Sequence, residues 1–465
     1  TPERWDDPSE SRCTVKPKRQ PKTNERGMFC QRLDDLLNME HEIVRLAQAI
    51  DWDGLVAAFG PLYAERQGRP GVPIRVMAGI VLLQHTFGIS DEKVVETWVQ
   101  NPYWQYFCGE EFFQHDFPID PSSLSRWRGR IGKEGVERLL ALTIQAGKRT
   151  GTVTEREMET VIIDTTVQPK AVAHPTDARL YLKALHALLR IAGEEEIKLR
   201  QSYTRSAKAA HFLYGRYRKA KQFKRAARER KRLKVYAGRV LRDLERKMSE
   251  ESFQKHKGTM ILAELVLTQK KDTKGKVYSM HAPDTECIAK GKAHKPYEFG
   301  VKTSLAVTLK SGFVVGAMAC PGNPFDGHTL PEQLDQVGRL TGKMPSRSHV
   351  DKGYKGHGVA PEDCEVLISG TRKGISKSLR RQMKRRSAVE PGIGHQKSDG
   401  KLSRNWLKGS FGDALNPILC GAGHNLRKIL ARLRRSLYTW IWSRISSLWS
   451  RAIAIGQPRI PAQAA

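Results

Sequence analysis

Residues 158–167 read METVIIDTTV, a short apolar, β-branched run that delivers an acid, Asp164, between Ile163 and Thr165. That pattern predicts a buried strand carrying a carboxylate to its end. Toward the C-terminus, strand signals return at 276–282 (KVYSMHA), 298–309 (EFGVKTSLAVTL) and 312–319 (GFVVGAMA), with Lys310-Ser311-Gly312 and CPGNPFDGH as turns. A helix is expected at 329–342, then strands at 348–351 (SHVD) and 364–369 (CEVLIS). Three consecutive strands followed by strand–helix alternation predict an α/β fold, a mixed sheet flanked by helices. The stretch 176–255 reads as a helical insertion that separates the first strand from the rest, and 375–445 reads helical and basic.

Toward the N-terminus, 28–150 reads as an all-α domain. Apolar residues recur at helical spacing in IRVMAGIVLLQHTFGISDEKVVETW, residues 74–98. Pro73 stands where a helix would begin, and Ser90 is an expected N-cap with Asp91 and Glu92 in the first turn. Asp120 or Ser122 would cap a short helix bearing Arg126, Arg128 and Arg130. The aromatic stretch NPYWQYFCG, 101–109, is expected to pack as a core knot. Residues 1–27 read as a flexible basic arm, opening on Thr1 as a translated leader or a truncated start. Residues 436–465 read as a tail, whose Tyr438, Trp440, Trp442 and Trp449 are expected to pack on the core or on a second protomer rather than on a membrane.

Charge narrows the partner. The 465 residues carry 80 Lys plus Arg against 49 Asp plus Glu, a net charge of +31. A polyanion, nucleic acid before a membrane surface, is the expected partner of so large an excess. Within 201–250 there are 17 Lys or Arg against 4 acids, with Tyr and Phe interleaved, and Arg225 and Arg228 lie in the densest part. The seven cysteines are odd in number and form no CxxC pair, which argues against a disulfide framework or a zinc finger and for reduced thiols. No apolar run is long enough to span a bilayer.

Asp351 follows SHV and precedes KGYKGHG, a second acid at the end of a short apolar strand. A third, Glu390, follows eight Lys or Arg between 372 and 386 with no acid among them. Three converging carboxylates suit Mg²⁺, a hard cation that takes oxygen ligands, with Arg386 and Lys397 placed to neutralise phosphate. Spacing alone does not choose these acids over Asp284, Glu286, Asp326, Asp399 or Asp413. His357 and His395 lie near the acids in sequence and more often would satisfy local hydrogen bonds.

Three segments carry a resemblance: IIDTTVQPKAVAHPTDARL, HVDKGYKGHG, and the long stretch from VEPGIGHQKSDG to HNLRKIL. In this order they resemble the DDE transposases of bacterial insertion sequences, in the insertion-sequence-five group, and the likeness covers about residues 28–435. ISDEKVVETWVQNPYWQYFCG onward is similar to the helical N-terminal domain of that group. The family surrounds its Glu with a Tyr, Arg, Glu and Lys; here Arg386, Glu390 and Lys397 hold three of those places, and Met383 stands where the family has Tyr.

The resemblance implies an RNase H-like catalytic domain over 151–435, with Asp164, Asp351 and Glu390 as catalytic metal ligands for Mg²⁺, or Mn²⁺ in its place. It implies phosphodiester hydrolysis at transposon ends, followed by attack of the freed 3′ hydroxyl on target DNA. Double-stranded DNA, as terminal inverted repeats and as target, is then the partner, bound by a homodimer in the bacterial cytoplasm with the nucleoid. Arg126, Arg128 and Arg130 would contact the repeats, and Arg225 and Arg228 would grip phosphate. A non-transposing RNase H-like nuclease and a non-catalytic DNA-binding protein are the alternatives.

Overall fold

The computed structural model describes residues 31–456 except 64–70, 117–118, 271, 293–294 and 371–375; the side chains of 290–295, 388 and 436–456 are also outside the description. The expected arm 1–27 and the aromatic side chains of the tail therefore lie outside the described residues.

The N-terminal part is helical: α1 (Glu42–Ala49), α2 (Trp52–Phe59), α3 (Ile74–Phe87), α4 (Asp91–Gln100), α5 (Pro102–Cys108) and α6 (Ser122–Arg149). Pro73 is the N-cap of α3, and the Ser90 hydroxyl accepts from the Lys93 amide to cap α4. The aromatic knot is α5, which buries Trp104 and Phe107. The short helix expected after Asp120 is the first segment of α6; the backbone leaves helical geometry at Gly132, where φ is 67° and only glycine sits without strain, and a second helical segment runs on to Arg149.

The sheet follows: β1 (Thr160–Pro169), β2 (Glu286–Lys292), β3 (Lys295–Thr308), β4 (Val314–Cys320), β5 (Arg347–Val350) and β6 (Glu365–Ile368). β1 is central, antiparallel to β3 on one side and parallel to β5 on the other, with β6 beyond β5. β2 and β4 both pair antiparallel with the long β3, over different stretches of it. The expected strand at 276–282 does not form. The Gln269 side chain occupies both backbone groups of Val277 (3.0 and 3.2 Å), so this segment offers no ladder there, and the strand that follows begins at Glu286.

Between β1 and β2 lie α7 (Asp177–Glu194), α8 (Thr204–Lys219), α9 (Phe223–Lys247) and α10 (Glu250–Thr268). Their apolar faces form a separate core that includes Leu185, Leu188, Leu233, Leu244 and Val266. After β4 come α11 (Leu330–Thr341), α12 (Lys377–Arg385), α13 (Val389–Ser398) and α14 (Gly409–Gly456).

The larger core runs from α1–α6 through β1, β3 and β4 to α14. It crosses the expected domain boundary at 150: Phe313, beside β4, packs against Gly147 of α6, and the Asn425 amide of α14 donates to Thr143 of α6. α14 contains Pro417, which has no N–H to offer the carbonyl of Asp413. The buried Gln168 of β1 supplies the missing donor, its Nε2 2.7 Å from that carbonyl oxygen.

Three buried histidines make folding sensitive to acid. Burial is the main cause that pushes His424 down to about 3 and His349 down to about 4, and it holds His85 well below the ordinary imidazole value. These groups stay neutral when folded, whereas the unfolded chain takes up protons below about pH 6.5. Stability is therefore fully present above that pH and falls as pH drops toward 4, by up to about 1.4 kcal/mol per pH unit for each such group. Asp413, pushed up to about 6 by burial, and the Asp164 and Glu110 carboxyls, also raised by burial, work in the opposite direction, whereas Asp243 and Glu195, held low by their hydrogen bonds, add to the loss in acid. Denaturant unfolding at about pH 7 and about pH 5 should show a net loss of stability in acid. His424→Asn should make that loss shallower; an unchanged pH slope in the variant would refute the assignment.

Candidate active site

Asp164 and Asp351 are brought together by strand register. In the parallel pair, Ile162 stands beside His349, and β5 ends at Val350. Carried two residues on, this register puts Asp164 beside Asp351. β1 itself continues to Pro169, so Asp164 marks the end of the parallel pairing rather than the end of its strand. The crevice beyond the carboxyl ends of parallel strands is where open α/β sheets place their ligands.

A single guanidinium spans the two acids. Arg386 Nη2 lies 3.7 Å from Asp164 Oδ2 and 3.5 Å from Asp351 Oδ2. The Asp164 and Arg386 side chains are only 20% and 16% exposed, while that of Asp351 is 51% exposed. Burial raises the Asp164 carboxyl above its usual range, Arg386 and the Thr165 amide (2.8 Å) oppose the rise, and Asp351 and Asp326 add to it. Asp351 accepts from the backbone N–H of Lys352.

A third acid stands nearby. Asp326 Oδ1 accepts from Thr165 Oγ1 and from Lys302 Nζ, each at 3.0 Å, and its Oδ2 lies close against Gly353. Asp326 thus links the residue after Asp164 to the turn after Asp351. It lies in the CPGNPFDGH stretch, whose Pro and Gly mark a turn and hide the acid's long-range partners. The buried Tyr354 phenol is pushed up by burial and by the charges of Asp164 and Asp326.

Glu390 is exposed, in the first turn of α13, a helix that lies against β1. Among the described residues, no three Asp, Glu, His or Cys side chains are grouped closely enough to hold a metal ion. The structure brings together Asp164, Asp351 and Arg386, and it leaves Glu390 outside that set. Lys397 is half-buried in the last turn of α13. His357 accepts from the Val359 amide and His395 pairs with Asp399 at 2.8 Å, so both have local partners.

The donor chemistry suits a hard divalent cation. Two carboxylates that already share one positive group offer oxygen ligands to an ion that retains waters and completes its shell with phosphate oxygens. Cysteine and histidine ligands, which would favour a softer metal, are absent from this set.

The expected DNA contacts divide. Arg126 is exposed, Arg130 is half-buried with its guanidinium 5.0 Å from the centre of the Tyr63 ring, and Arg225 and Arg228 are exposed on α9. Arg128 is corrected: it is only 4% exposed, and its guanidinium is held by Asp91 at 2.6 Å and Gln84 at 3.2 Å, tying α6 to α3 and α4. The described cysteines are free thiols. Among the described residues, no helix is long and apolar enough to cross a membrane.

Residues 31–130 match a family described as a transposase domain (DUF772). The chain is also 51% identical, over 203 residues, to the Rhizobium meliloti "Uncharacterized protein ORF8 in nfe locus", a stretch that is 44% of this chain and 98% of that protein. No solved structure matches.

Proposed function

This chain belongs to the family of the Rhizobium meliloti ORF8 protein and carries a transposase domain, and we propose that it is a DDE-type DNA transposase of the insertion-sequence-five group. The observation that carries the reading is the meeting of Asp164 and Asp351, from segments separated by the whole helical insertion, on one arginine. The sheet supports it: antiparallel β1, β3 and β4 with β1 central, then β5 and β6 parallel to it, is the arrangement an RNase H-like catalytic domain calls for. The net charge of +31 supports DNA as the substrate.

In this reading Asp164, Asp351 and Glu390 would hold Mg²⁺ or Mn²⁺, with the first turn of α13 bringing Glu390 to the pair on bound DNA. The bound ion supplies Lewis-acid stabilisation of the attacking and leaving oxygens of a phosphodiester. Arg386 neutralises the paired carboxylates when they are empty and turns to the scissile phosphate when they are filled. Lys302, Asp326 and Thr165 brace the strand that bears Asp164. Water is the nucleophile in the first step and a DNA 3′ hydroxyl in the second, so no protein nucleophile is required.

The test offers the purified protein a plasmid bearing the DNA that flanks its gene, with Mg²⁺ or with a chelator. Metal-dependent nicks at the flanks, and joined products in a second plasmid, are expected. Cleavage without joining would reduce the protein to a nuclease, and DNA binding with neither product would leave it non-catalytic.

A further inference from the structure

We propose that the turn between α8 and α9 docks unpaired DNA, with the Phe223 ring stacking on an exposed base. The choice of DNA as the polyanion rests on the transposase reading; the rest stands on the turn itself. From residue 197 to 228 the chain has no Asp or Glu. Arg218, Lys219, Lys221, Lys224 and Arg225 crowd the turn, and all are exposed. Phe223, the first residue of α9, is 66% exposed among them. The α8–α9 packing does not need it: Ala207, Ala210 and Tyr214 meet Ala226, Leu233 and Ala237 in the insertion core.

The turn is held in one shape. Lys221 adopts φ 55°, the Gln222 amide donates to the Tyr217 carbonyl at 2.8 Å, and the Phe223 amide donates to the Lys221 carbonyl at 3.0 Å. Gln222 gives α9 no side-chain cap, and no acid lies in the first turn, so the positive helix end faces outward among lysines. Cations for the backbone beside an aromatic face for the base is the pairing that binds unpaired strands, because a paired duplex hides its base faces. Phe212 of α8, 63% exposed with Arg216 5.8 Å from its ring centre, offers a second such platform.

The experiment measures binding of the full chain, without divalent metal, to two labelled DNAs of one sequence, fully paired or with an internal unpaired bubble. Wild type should prefer the bubble. Phe223→Ala should weaken bubble binding by about tenfold, the scale of one lost base stack, and leave duplex binding within about twofold; Phe223→Trp should restore the preference. Loss of both affinities in equal measure, or of neither, would overturn the proposal. If the wild type cuts and joins DNA while Phe223→Ala binds like it, only this inference fails. A wild type that binds neither DNA would defeat the transposase reading with it. Preference for anionic vesicles over both DNAs would make the turn a membrane contact and also overturn it.

Discussion

Asp164→Asn and Asp351→Asn should each lower the rate of DNA cleavage by about a hundred- to a thousandfold, the scale lost when one electrostatic group is removed from a reacting centre. Asparagine keeps the volume of each side chain and leaves an oxygen for the Thr165 or Lys352 amide, so the fold has little reason to change. What disappears is negative charge facing a cation. DNA binding should persist or tighten, since Arg386 loses a carboxylate partner and is freed for phosphate. Glu390→Gln divides the account further. It should lower cleavage as far as the aspartate changes do if Glu390 reaches the pair on bound DNA. A Glu390→Gln protein that cuts at the wild-type rate would leave the aspartate pair in place and remove Glu390 from the site. Gel assays of end cleavage, with binding measured in parallel, distinguish these outcomes.

Lys170→Met should cost about 3–5 kcal/mol of folding stability, the cost of removing one partner from a buried ion pair. Lys170 follows β1 directly, and its side chain is 3% exposed. Its ammonium lies 2.9 Å from Asp284, 2.9 Å from Asp413 and 3.0 Å from the Gly409 carbonyl oxygen. Asp413 is also 3% exposed, and burial already pushes its carboxyl up to about 6 against the pull of Lys170 and the Asn405 amide. Methionine fills the volume but strands that carboxyl. Adding Asp413→Asn should recover part of the loss, because the uncompensated charge goes with it. Denaturant unfolding of the single and double variants reads both effects. Additive losses would mean that the ammonium and the carboxylate do not act as a pair. Since this cluster ties the outgoing end of β1 to the start of α14, the single variant should also loosen the strand that presents Asp164.

The parts of this architecture that were readable in the sequence are those set by short-range pattern. METVIIDTTV and SHVD announce buried strands because β-branched runs leave little else for them to be, and their acids fall where the parallel pairing ends. Ser90 and Pro73 marked helix starts through local backbone chemistry. What escaped was set by distant partners. KVYSMHA alternates as a strand does, yet a glutamine side chain claims its backbone. Nothing within RWRGR reveals that Arg128 meets an aspartate 37 residues away. The break at Gly132, where the expected short helix ends and a second one begins, depends on a backbone angle that no periodicity records. Asp326 stands among the competing acids with nothing local to single it out, because its tie to Thr165 bridges 161 residues. Glu390 is named by resemblance alone, because nothing in its strongly basic surroundings marks one acid as a ligand.

Titration with Mn²⁺ followed by electron paramagnetic resonance tests the central claim most directly, because it reads occupancy without needing a DNA substrate. Wild type should remove free Mn²⁺ signal with at least one saturable site, and Asp164→Asn combined with Asp351→Asn should abolish that site. Saturable binding that survives unchanged in the double variant would mean that these two aspartates do not hold the cation.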